Sequence, residues 1–189
     1  GYPCHCLQRL ILKISTAMSK VSMTIAGAAC AVSLILGLAA IATPKWLVLN
    51  VGLTELKYGL FGSCANDSII GEVKCGSYNH TRDWILVTSA FEVTGICGIF
   101  LAVLLALLLT FVARKSNIAV KSSGPFALLG GLCKVVGTII WALKYRDDAD
   151  LAICNLSVGF FLANASAILS IIAGGLLLLC WRAESYTAL

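Results

Sequence analysis

Four long apolar stretches constrain this chain more than any other feature. A hydrocarbon core roughly 30 Å thick takes about 20 residues of helix to cross, and the stretches near 21–42, 84–113, 125–143 and 158–181 reach about that length or more. They are rich in Leu, Ile, Val, Ala and Gly and lack the period-two alternation of barrel strands, so they read as membrane helices. Composition agrees: the chain is 59% hydrophobic and only 12% charged, with more apolar surface than a soluble domain of this length can bury. The expected fold is an all-α membrane protein, a left-handed four-transmembrane helix bundle over 21–181. A segment 1–20 and a tail 182–189 flank it, and two loops, 43–83 and 144–157, share its other side.

Lys and Arg in the short flanking segments orient such a bundle, while acids contribute little. Arg9, Lys13, Lys20, Arg114, Lys115, Lys121 and Arg182 flank one side with a single acid, Glu184. That side is expected to be cytoplasmic, with both termini on it. The loops 43–83 and 144–157 mix both signs and are expected outside. Ala40-Ile41-Ala42 resembles a signal-peptidase site, but the apolar run before it exceeds the roughly 7–15 residues of a signal-peptide core. The net charge of +5 follows from topology: no basic face with interleaved aromatics points to nucleic acid. Two readings stand for the leader 1–20, an amphipathic segment at the inner interface through Leu10, Ile11, Leu12 and Ile14, or a loose terminus. Cys4 and Cys6 are either palmitoylation sites or plain thiols. Cys4-His5-Cys6 supplies too few ligands for a tetrahedral metal site.

The first loop carries the most specific signal. Between the first two helices lie Trp46, the run Gly59-Leu60-Phe61-Gly62-Ser63-Cys64, and Cys75. A loop outside the membrane with only two cysteines is expected to close them as a disulfide. The stretches Trp46–Val51 and Glu55–Phe61 contain bulky strand-forming residues, with Asn50 and Gly52 as turn signals, and predict a small antiparallel sheet.

These residues resemble the claudin superfamily, which includes epithelial membrane and peripheral myelin proteins, the lens fibre membrane protein and calcium-channel gamma subunits. Trp46, Gly59-Leu60-Phe61, Cys64 and Cys75 match its W, GLWxxC, C signature. Arg82, closing Asn79-His80-Thr81-Arg82, and Ser157–Ala163 are similar to its boundaries at the second and last helices. The resemblance implies that Trp46, Leu60 and Phe61 pin the sheet onto the helix tops. Phe61 stands where the family usually has tryptophan, and the loop is shorter than in most claudins, which trims the region they use to line paracellular pores. The implied function is cell–cell contact or lateral protein assembly without enzymatic activity, at the plasma membrane and its cell junctions. The alternative is an auxiliary, gamma-type subunit that packs on a channel or receptor. Expected partners are membrane lipid and other membrane proteins, including further copies in cis or trans.

Glu92 and Lys134 are ionisable residues within apolar helices, where an isolated charge is costly. Counted from the outer helix ends at 1.5 Å per residue, both lie roughly 12–15 Å deep. They are expected to pair between the second and third helices. Gly27 with Ala31, Ser33 with Gly37, and Ser166, Ser170 and Gly174 supply small faces for close helix packing. Asn66 and Asn79 head exposed glycosylation sequons, Asn155 a sequon near the bilayer, and Asn164 one inside the last helix. Cys154 is left unpaired; it packs at the membrane edge or cross-links a partner. Thr187-Ala188-Leu189 fits a C-terminal ligand for a PDZ scaffold. No cofactor or catalytic motif is present: the chain has two histidines and no HExxH, GxSxG, P-loop or dinucleotide fingerprint.

Overall fold

The computed structural model describes residues 4–52, 54–67, 72–77, 82–111, 117–147, 151 and 153–187, and of 4–21, 51, 67, 72, 109–111, 117–121 and 181–187 the backbone alone. The element order is α1 (Cys4–Ala42), β1 (Leu47–Val51), β2 (Thr54–Tyr58), β3 (Gly62–Asp67), β4 (Glu72–Ser77), α2 (Asp83–Phe111), α3 (Asn117–Asp147), β5 (Asn155–Leu156) and α4 (Val158–Thr187). Within the helices, Ser22–Ala42, Asp83–Leu108, Ser122–Asp147 and Val158–Cys180 are long and apolar enough to cross a membrane.

Local chemistry sets the ends of these helices on the sheet side. Pro44 disfavours helical backbone at Thr43, and α1 stops at Ala42 with a last bond from Thr43 N to Ala39 O, 3.1 Å. Before α2, the Arg82 carbonyl accepts Ile85 N at 2.9 Å and Leu86 N at 3.3 Å, and Asp83 places a negative charge in the first turn, where the helix dipole favours it. Lys144 and Arg146 meet the opposite end of the dipole at the close of α3.

Several helix boundaries differ from the expectation, among them the end of α3, which lies at Asp147 and not at 143, so the second loop is shorter than 144–157. The segment 4–20 is neither a separate interfacial segment nor a loose terminus but a continuous part of α1, about 58 Å long in all at the standard rise. Helix α3 starts at Asn117 and runs through Pro125, because one lost backbone bond is tolerated where neighbouring helices support the backbone. Helix α4 continues past Trp181 to Thr187. In each case the helix outlasts its apolar stretch, since hydropathy marks the membrane and not the end of helical backbone.

The bundle packs mainly through α1 on α4, α4 on α3 and α3 on α2, with α1 and α2 touching less. Reciprocal bonds staple α1 to α4: Ser33 Oγ donates to Ser166 O and Ser166 Oγ to Ser33 O, each at 2.7 Å. Ser170 Oγ donates to Ala127 O at 2.6 Å and ties α4 to α3. Large apolar side chains such as Ile35, Leu86, Leu129 and Leu179 point outward, as lipid-facing residues do.

Above the bundle lies one antiparallel sheet in the order β4-β3-β2-β1-β5. The β1–β2 hairpin turns on Gly52, whose φ of 59° suits the tight turns that match strand twist. The expectation of a sheet from the first loop alone was incomplete. Leu47 and Val48 of β1 also pair with Leu156 and Asn155 of β5, so the second loop contributes the strand next to α4.

Candidate functional site: the sheet cap and the buried ion pair

Trp46 is the joint between sheet and bundle. Its side chain is fully buried, and Nε1–H donates to Ala40 O in the last turn of α1 at 2.8 Å. Its backbone N donates to Tyr58 O at 2.8 Å and its carbonyl accepts Ser157 N at 2.9 Å. One residue therefore ties α1, β2 and the start of α4. The ring meets Trp141 of α3 edge-on, with centroids 5.0 Å apart, and Trp141 in turn meets Trp84 of α2 at 5.1 Å. Phe160 of α4 closes the group at 6.4 Å from Trp46. All four helix tops contribute to one aromatic core, with Leu47, Leu60, Ile85, Leu151 and Cys154 packed into it. Phe160 belongs to the run Ser157–Ala163 that resembles the family's last-helix boundary, whereas Trp141 is not singled out by the sequence.

The Gly-Leu-Phe run divides its work among three residues. A side chain on Gly59 would place Cβ 2.7 Å from the Pro44 backbone, so only glycine lets the β2–β3 turn sit against the end of α1. Leu60 is buried at 2% exposure, and its carbonyl lies 3.4 Å from Ser89 Oγ of α2. Phe61 departs from the expectation: it is 53% exposed and is not among the residues packed on the aromatic core. Backbone geometry explains this, because Leu60 and Phe61 are consecutive in a turn and only one of them can face the bundle.

Cys64 and Cys75 form a disulfide. They are direct partners in the β3–β4 register, so the bond crosslinks the two strands farthest from β5. Arg82 stands at the start of α2, partly buried. Asn66 is partly buried on β3 between Glu55 and Val73, and Asn155 is exposed on β5. Asn79, Leu189 and the side chain of Thr187 lie outside the described residues. Cys154 is a free thiol, 5% exposed, inside the aromatic core; burial raises its pKa. It packs within the cap and is not presented to a partner.

Deeper in the bundle, the structure brings Glu92 and Lys134 together. Lys134 Nζ lies 2.9 Å from Glu92 Oε2, and both side chains are fully buried. The contact is a salt bridge, and the buried Thr88 hydroxyl has no hydrogen-bond partner among the described residues. Close backbone approach makes room for it: a Cβ on Gly95 would fall 2.4 Å from Lys134 Cγ and 2.7 Å from Gly130 O. Two desolvated charges at this depth persist only as a pair. Among the described residues no cluster of three or more His, Cys, Asp or Glu could hold a metal.

The sequence profile of the PMP-22/EMP/MP20/Claudin family matches residues 18–177, well over half of the 189-residue chain. The chain belongs to this family. Comparison with curated proteins returns no match. The claudin-like signature has a structural meaning here: its tryptophan joins sheet to bundle, its glycine and leucine seat the turn, and its cysteines lock the outer strands. Four membrane-spanning helices make the chain a multi-pass membrane protein.

Proposed function

We propose that this claudin-like protein is a non-enzymatic contact protein of the plasma membrane, its sheet facing outward and both termini facing the cytoplasm. The arrangement of the sheet supports the reading most. One edge, β5, is held beside α4, while the opposite edge, β4, is exposed throughout residues 73–77. A sheet anchored on one side and open on the other presents backbone donors and acceptors to a neighbour. The disulfide in β3–β4 suits an oxidising exterior, and the excess of Lys and Arg on the other flanks agrees with that orientation. Cell junctions are the natural site for such a surface.

Expression in cells that do not adhere tests the proposal. Tagged protein should accumulate at borders between two expressing cells and not at borders with a non-expressing cell. Uniform distribution around the cell would overturn it, and an epitope at either terminus that stained intact cells would overturn the orientation. The auxiliary-subunit reading has less support, because Glu92 and Lys134, the buried charges among the described residues, pair with each other. Its signature would be stoichiometric recovery of a channel or receptor in mild detergent without enrichment at borders.

A further inference from the structure

A groove of about 330 Å³ lies between the end of α1, Ile41–Pro44, and the β2–β3 turn through Phe61. Ala42 is the last residue of the membrane-crossing part of α1, which puts the groove where the bundle leaves the hydrocarbon. It is also continuous with the lipid surface. Ile25, Val32, Ile35 and Leu38 are exposed along one face of α1, and the exposed Ala42, one turn beyond Leu38, carries that face into the groove. Phe61, half exposed, forms the facing wall. Lys45 is exposed and directly follows Pro44, which lines the groove.

We propose that this groove binds a phospholipid of the sheet-side leaflet, one acyl chain lying between Ala42 and Phe61 and the phosphate meeting Lys45. The exposed apolar face of α1 leads into the groove at Ala42, and the neighbouring cation complements an anionic phosphate, so lipid accounts for both.

The test uses the full chain in nanodiscs of phosphatidylcholine with a trace of phosphatidylcholine carrying a photoactivatable acyl chain. Label should concentrate on residues 41–44 and 59–64 over the open face at 25–38. Ala42→Trp, which fills the groove from an exposed position, should remove most of the label from 59–64 and leave that on 25–38 unchanged. Lys45→Glu should reduce the groove label. Even labelling along α1, or groove label indifferent to Ala42→Trp, would mean ordinary boundary lipid and overturn the proposal. Dimers crosslinked through 59–64 without lipid label would assign the groove to a second copy, and loss of label on adding sterol would assign it to sterol; either overturns it. Circular dichroism and an intact Cys64–Cys75 bond check that Ala42→Trp is folded. If it is not, Phe61→Ser decides by the same readout, since Phe61 supports no core contact.

Discussion

Lys134 Nζ lies 2.9 Å from Glu92 Oε2, and neither side chain reaches the surface of the bundle. The pair stands on α2 and α3, the helices that pack most extensively. Removing one charge strands the other, whereas removing both leaves no buried charge between the two helices. Glu92→Gln is expected to destabilise the bundle by about 3–5 kcal/mol, and Glu92→Gln with Lys134→Met by less. Equilibrium unfolding of the four members of the cycle in detergent measures the difference. Additive effects would show that the two charges do not depend on each other.

Trp46 should be the least replaceable residue of the cap. Trp46→Ala removes a fully buried ring and its bond to Ala40 O, and it is expected to cost about 3–5 kcal/mol. Trp46→Phe keeps much of the ring packing but loses the donor, for roughly 1 kcal/mol plus the smaller ring. Limited proteolysis of the first loop in intact vesicles reads both: the Ala variant should be cleaved while the helices stay protected. Equal protection of wild type and Trp46→Ala would refute the anchoring role.

Breaking the β3–β4 crosslink should free the outer edge of the sheet. Cys64→Ser or Cys75→Ser is expected to lower stability by about 2–5 kcal/mol. The Cys64→Ser, Cys75→Ser double variant should be no worse than either single one, because each removes the same bond. Non-reducing peptide mapping checks the premise. Recovery of both residues as free thiols from native protein would contradict the structure.

Cys154 offers a pH signature. Burial raises its pKa above the ordinary thiol value of 9.0, so near that pH the folded chain keeps a proton that the unfolded chain has lost. The unfolded state then binds fewer protons, and stability falls as pH rises past about 9, with no contribution well below it. Unfolding measured from pH 7 to pH 10 should show this loss, and Cys154→Ala should reduce it. In the native state Cys154 should react with maleimide far more slowly than after unfolding. Equal rates would place the thiol outside the core.

Much of the fold was legible because membranes impose a simple rule: a segment that crosses hydrocarbon must be apolar over a set length and must satisfy its own backbone. The crossings of α1 to α4 follow from that rule. Glu92 and Lys134 were visible for the same reason, since a charge in an apolar run needs a partner and only these two share a depth. The cysteine spacing, together with the Gly-Leu-Phe run, marked the sheet and its crosslink.

Other features depend on contacts between segments far apart in sequence. Two residues of β5 carry no strand signal of their own and become a strand only because Trp46 and Gly159 bring the start of α4 against β1: Ser157 N donates to Trp46 O, and Gly159 N to Lys45 O at 2.7 Å. Leu60 and Phe61 are similar in apolar character, and their opposite fates were decided by which one the turn aimed at the bundle. Cys154 stood open between packing at the membrane edge and cross-linking a partner until the folded cap enclosed it. The sequence alone determined what must lie in lipid and which charges and cysteines need partners, because hydrocarbon penalises each exposed polar group locally. Tertiary structure decided which faces meet, since packing depends on the geometry of several elements at once.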